Sequence, residues 1–141
     1  MKKILRWSAI VLVALIVLIQ FIPADRTNPA AEAEVFAPDE VKNILRKACF
    51  DCHSHETEWP WYSRVAPVSW WMANHVEHGR ADLNFSRWPL FNFESQKHLL
   101  GEIEEEISQD EMPLKSYRIG HPEARLTDGE KEILLNWARA R

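Results

Sequence analysis

The 141-residue chain has two cysteines, three methionines and four glycines, and little of the period-two alternation that marks strands. With so few cysteines there is no second ligand pair at zinc-finger spacing and no thiol left over. The weak strand signal argues against the βαβ context that a thioredoxin-like Cys-x-x-Cys needs. There are no internal repeats. No acidic residue precedes Asp25. No small-x-small cleavage site closes the first apolar run either: Gln20-Phe21-Ile22-Pro23 stands there, and Ala31-Glu32-Ala33 lies too far downstream.

Both cysteines fall in one cluster, Cys49-Phe50-Asp51-Cys52-His53. Two thiols three positions apart fit on one helical turn and can meet both vinyl groups of one porphyrin, and the imidazole that follows is placed to bind the iron. The spacing predicts one covalently attached haem (haem c), with Cys49 and Cys52 as attachment points and His53 as an axial ligand.

Lys2, Lys3 and Arg6 form a basic head, followed by an almost wholly apolar stretch from Trp7 to Ile22. This reads as an export signal retained as a single-span membrane anchor over residues 1–22. Residues 23–37, with Pro23, Pro29 and an Ala/Glu-rich stretch, read as a tether without a packing pattern. Residues 38–141 then form the haem-binding domain in an oxidising space outside the cytoplasm. Beyond the basic head, 14 of the 17 Lys and Arg remain against all 21 acidic residues, a balance of −7. That argues against nucleic acid as a partner and for a basic or polar docking surface.

The domain reads as all-α. Pro38, Asp39 and Glu40 open a helix whose Val41, Ile44, Leu45 and Ala48 share one face and lead into the haem motif. Residues 56–67 read as an irregular connection. A second helix begins near Pro67 and stops before Gly79, with residues 80–93 as a loop. Leu99, Leu100, Ile103 and Ile107 mark a third helix with an acidic outer face. Thr127-Asp128-Gly129-Glu130 fits a capping box ahead of Ile133, Leu134 and Trp137. Trp70, Trp71 and Trp137 are expected to pack in the core or against haem.

The sixth iron ligand decides the chemistry. Met112, followed by the stiffening Pro113, is the leading candidate, because soft sulfur favours ferrous iron. Met72 reads as core filling. His75 and His78, one turn apart on the second helix, are the competitors; His55 is too close to His53, and His98 and His121 read as surface or loop residues. An open sixth position remains a further alternative. Arg80 is the first choice to pair with a haem propionate, ahead of Arg64 and Arg87.

From about Val35 onward the chain resembles the small bacterial haem-binding domain family, relatives of monohaem cytochrome c. The carrying residues are Cys49 to His53, Trp59-Pro60-Trp61-Tyr62, Pro67 to Trp71, Gly79-Arg80, Leu83 to Trp88, Met112-Pro113, Tyr117, His121-Pro122, Leu126 to Glu130 and Trp137. The resemblance implies a cytochrome c-like helical fold with a Trp-rich insert from Trp59 to Trp88, preceded here by a transmembrane helix. It also implies His53/Met112 ligation and a bacterial envelope location, here the inner membrane with the haem domain periplasmic. The expected function is one-electron transfer to a redox partner protein in the envelope rather than catalysis. The alternative is a haem-based peroxidase or ligand sensor with an openable sixth site, for which His75 and Arg80 would be the distal groups.

Overall fold

In the computed structural model, which describes residues 1–140, the chain consists of α-helices joined by turns and short 3-10 segments, with no strand among the described residues. The α-helices are α1 (Lys2–Ile19), α2 (Asp39–Ala48), α3 (Phe50–His53), α4 (Val68–Asp82), α5 (Phe93–Ser108), α6 (Lys115–Gly120) and α7 (Asp128–Arg139).

Helix α2 starts after Pro38 with Asp39 and Glu40 in its first turn, where carboxylates suit the helix dipole. It buries Val41, Ile44, Leu45 and Ala48, the face expected from their spacing. Cys49 then hinges α2 to the single turn α3: its N–H donates to Leu45 O (2.8 Å) and its carbonyl accepts from His53 N–H (2.9 Å). The Cys49–His53 motif therefore lies on a helical turn fixed to a packed helix. The capping box at α7 is formed in both directions. Thr127 Oγ1 accepts from Glu130 N–H, and a Glu130 carboxylate oxygen accepts from Thr127 N–H at 2.9 Å.

The core lies between α2, α5 and α7. Leu99, Leu100, Ile103 and Ile107 of α5 meet Leu134, Trp137 and Ala138 of α7. A run of rings joins this core to the motif: Phe50 stacks on Phe85 (5.4 Å), Phe85 on Trp88 (6.1 Å), and Trp88 tilts against Trp137 (6.2 Å). Of the three tryptophans expected in the core, only Trp137 is buried. Trp70 is half-buried and donates its indole N–H to Ile22 O, and Trp71 is exposed.

Several expectations are corrected here. No described helix is long and apolar enough to cross a membrane. Helix α1 spans 18 residues but takes in Lys2, Lys3 and Arg6, so its apolar part runs only from Trp7 to Ile19. At 1.5 Å per residue that part is about 20 Å long, against a hydrocarbon layer of about 30 Å. The transmembrane helix, and the inner-membrane anchoring with a periplasmic haem domain that was read from it, are therefore not supported. Residues 23–37 are no free tether. Val35 is buried in the core, Arg26 donates to Ser63 O, Asn28 donates to Thr57 O, and Glu32 N–H donates to Ser86 O. Helix α4 also runs past Gly79 to Asp82.

Candidate functional site

Gly79 is a point of close approach rather than a helix stop. A Cβ placed on it would stand 2.7 Å from Cys52 O, so only glycine lets α4 lie against the motif here. The same approach fixes His53. Its Nδ1 faces Gly79 O at 2.8 Å and Leu83 O at 3.1 Å. Carbonyl oxygens only accept, so Nδ1 carries the proton and Nε2 is left as the nitrogen with a free lone pair. That is the usual arrangement of a metal-ligating histidine whose second nitrogen is held by a carbonyl.

A cavity of about 360 Å³ opens beside His53, walled by Leu83 and by Leu99, Ile103 and Ile107 of α5, with Met112 on its lining. Asp82, Glu102, Glu105 and Glu106 stand on the same lining. The chain reaches Met112 through Asp110, whose φ of 57° turns it sharply after α5. Aspartate is one of the few residues that adopts this left-handed conformation at small cost. Salt bridges to Lys131 (2.8 Å) and Arg118 (3.2 Å) hold the Asp110 carboxyl down at about 2, that to Lys131 weighing most.

A smaller cavity of about 160 Å³ shares no lining residue with the first and is lined by Cys52, Met72, His75, Val76, Tyr62, Tyr117 and His121 among others. The two leading candidates for the sixth ligand thus line different cavities. Met112 shares a cavity with His53, and His75 shares one with Cys52. The His75 Nδ1 faces Trp71 O at 3.0 Å, and its ring lies 4.2 Å from that of Trp71. His78 is exposed and bonded to Asn74. His55 bridges Asn84 and Ala30 O, and His98 is exposed beside Glu102.

Cys49 and Cys52 are free thiols. Burial pushes Cys49 up to about 12 and Cys52 up to about 11. A dithiol redox centre needs the opposite shift, toward thiolate at neutral pH, so the thioredoxin-like reading finds no support.

Arg80 does not line the cavity of His53 and Met112. Its guanidinium donates to Ser54 O (2.7 Å), Thr27 O (2.9 Å), Asn28 Oδ1 (2.8 Å) and Thr57 Oγ1 (2.9 Å). It clamps the N-terminal segment and the turn after the motif onto α4. No groups of three or more His, Cys, Asp or Glu suited to a metal ion occur among the described residues.

A family model described as a haem-binding domain matches residues 14–140, nearly the whole chain. The chain belongs to the haem-binding domain family. Neither a curated protein nor a solved structure matches it. The residues present suit a haem: a histidine with one nitrogen tied and the other free, a thioether and the apolar Leu83, Leu99, Ile103 and Ile107 on the lining of the same cavity beside its four carboxylates, and two free thiols on the turn that carries the histidine, of which Cys52 faces the smaller cavity. In a haem-binding domain of this build, His53, Cys49, Cys52 and Met112 are the residues that would hold the group. The sequence does not single out Asp51, whose carboxylate accepts the Tyr117 hydroxyl at 2.6 Å. Nothing local in the sequence links those two positions, 66 residues apart.

Proposed function

We propose that the protein is a one-electron carrier holding a single haem c, attached through Cys49 and Cys52 and ligated by His53 and Met112. The observation that carries this reading is that Met112 lines the same cavity as His53 while His75 does not. A haem bound there supplies a ferric/ferrous couple. The chain's part in attachment is to present two reduced thiols on one helical turn. Each S–H would add across a vinyl group, forming a C–S bond at the expense of the vinyl π bond, with the thiol proton ending on the neighbouring carbon. No oxidant enters this balance. His53 is held in one tautomer by Gly79 O and Leu83 O, which fixes its ring for ligation. Met112 offers a soft sulfur that favours the ferrous state and raises the potential. The apolar side chains of Leu99, Ile103 and Ile107 would lie against the ring on that side. A filled sixth position suits electron exchange with a protein partner rather than substrate turnover.

The test compares Met112→Ala with His75→Ala in the haem-loaded protein. Met112→Ala should change the ferric absorption spectrum, lower the midpoint potential, and open the iron to carbon monoxide or cyanide. His75→Ala should leave all three unchanged. A spectrum altered only by His75→Ala replaces the methionine with a second histidine. Rapid carbon monoxide binding by the unmodified protein replaces the carrier with a sensor or peroxidase.

A further inference from the structure

The chain that carries Met112 is held at both ends by polar contacts, with Pro113 buried between them. Upstream, Asp110 accepts from Lys131 of α7 and from Arg118. Downstream, α6 begins two residues after Pro113, is six residues long and buries none of them. So short a helix has little stability of its own and needs an outside hold. Tyr117 supplies it. Its hydroxyl donates to Asp51 Oδ2 at 2.6 Å, while Asp51 Oδ1 accepts from Glu58 N–H at 2.9 Å. Its ring stacks on His121 at 4.2 Å and 13°, and His121 is in turn bonded to the Tyr62 hydroxyl (3.2 Å) and to Glu123 (3.1 Å). Burial, and then the bond to Asp51, push the Tyr117 hydroxyl well above the usual tyrosine range, so it stays a donor at any ordinary pH.

Asp51 stands between the two cysteines of the attachment motif. Any group bonded to Cys49 and Cys52 is therefore fixed relative to its carboxylate. A bond from Asp51 to α6 ties the attachment turn directly to the segment that presents Met112, with no intervening element. We propose that Tyr117 is a positioning residue, which, through Asp51, holds the Met112 thioether on the iron. This inference rests on the reading of Met112 as the distal ligand. A thioether is a weak ligand, and how often it leaves is governed by how freely its segment moves. The hydroxyl of Tyr117 limits that motion, whereas its ring and the stack on His121 serve the local fold.

Tyr117→Phe separates the two roles, since it keeps the ring and removes only the hydroxyl. In the haem-loaded ferric protein, cyanide binding should be roughly three- to tenfold faster, the range expected from losing one hydrogen bond of ordinary worth. Amide exchange across residues 111–120 should rise, and the thermal midpoint should change little. Asp51→Ala should reproduce the effect, and adding Tyr117→Phe to it should contribute nothing more. Asp51→Asn, which keeps an acceptor oxygen, should restore part of the slow binding. Met112→Ala is the reference. If it leaves the ferric spectrum and the cyanide rate unchanged, the ligand assignment falls and this proposal with it. If Met112→Ala speeds cyanide binding while Tyr117→Phe binds at the unmodified rate, the ligand assignment stands and the positioning role is overturned. Equal speeding by Tyr117→Phe in a protein whose residues 111–120 exchange no faster would also overturn it, because the segment would then not be what moved.

Discussion

Helices α5 and α7 bury Leu99, Leu100, Ile103, Ile107, Leu134, Trp137 and Ala138, whereas α4, with 15 residues, buries only Ser69 and Val76. The difference follows from sequence. In α5 and α7 apolar residues recur at helical spacing. The Trp, His and Asn residues of α4 give it no strong apolar face. What holds α4 instead is the backbone contact of Gly79 with Cys52 and the four donations of Arg80. The motif sits between a half built on apolar burial and a half built on polar contacts. Burial tolerates small displacements, while hydrogen bonds hold particular atoms at particular distances. It is the polar half that orients the ring of His53.

The sharpest way to break this comparison is to weaken each half in turn. Leu134 is fully buried, and Leu134→Ala should destabilise the whole domain by about 2–5 kcal/mol in denaturant unfolding. All probes should report one shifted transition. Arg80→Ala should cost less, about 1–2 kcal/mol, since its bonds are partly exposed to solvent. Its mark should be local: faster amide exchange around residues 54–57 and 27–28, with the α5–α7 core still protected. If Arg80→Ala shifts every probe by as much as Leu134→Ala, the two halves are one cooperative unit and the distinction is lost.

The smallest effect concerns acid. The ion pair with Lys47, and then the bond from Thr127 N–H, hold the Glu130 carboxyl below its ordinary value of 4.5. A carboxyl depressed on folding adds stability that is fully present above its unfolded pKa and is lost as pH falls through the lower folded value. Glu130→Gln should therefore lower the thermal midpoint slightly at neutral pH, and the gap from the unmodified protein should close in acid. A gap that persists unchanged at low pH would show that the contact does not act through the carboxylate's charge.

The apolar half was legible in the sequence. The buried faces of α2, α5 and α7, the capping box at Thr127, and the haem motif on a helical turn all follow from local spacing. The polar half was much less so. Gly79 reads as a helix stop because glycines usually end helices, while its actual role depends on a carbonyl 27 positions earlier. Arg80 was assigned to a propionate, yet its partners lie at Thr27, Asn28, Ser54 and Thr57. Residues 23–37 have no packing pattern because most of their hold comes from backbone and amide bonds, which leave no hydrophobic signature. Helix α6 is too short for periodicity to show. The anchor expected over residues 1–22 counts on the apolar stretch after the basic head, but the charges of Lys2, Lys3 and Arg6 lie within the one helix, α1.

Among the described residues, three buried indole nitrogens, those of Trp59, Trp88 and Trp137, have no hydrogen-bond partner. Trp88 and Trp137 are almost wholly enclosed, at 1% and 7% exposure, in the ring stack that runs from the motif to α7. Their N–H protons have no acceptor among the described protein atoms, and deuterium reaches them only when the stack parts. Their exchange therefore clocks the opening of the core itself, free of the strength of any local bond. Two resonances in a nuclear magnetic resonance spectrum should then act as a stopwatch for the rarest motion of the domain. Trp70, whose indole N–H is bonded to Ile22 O near the surface, supplies the faster hand for comparison.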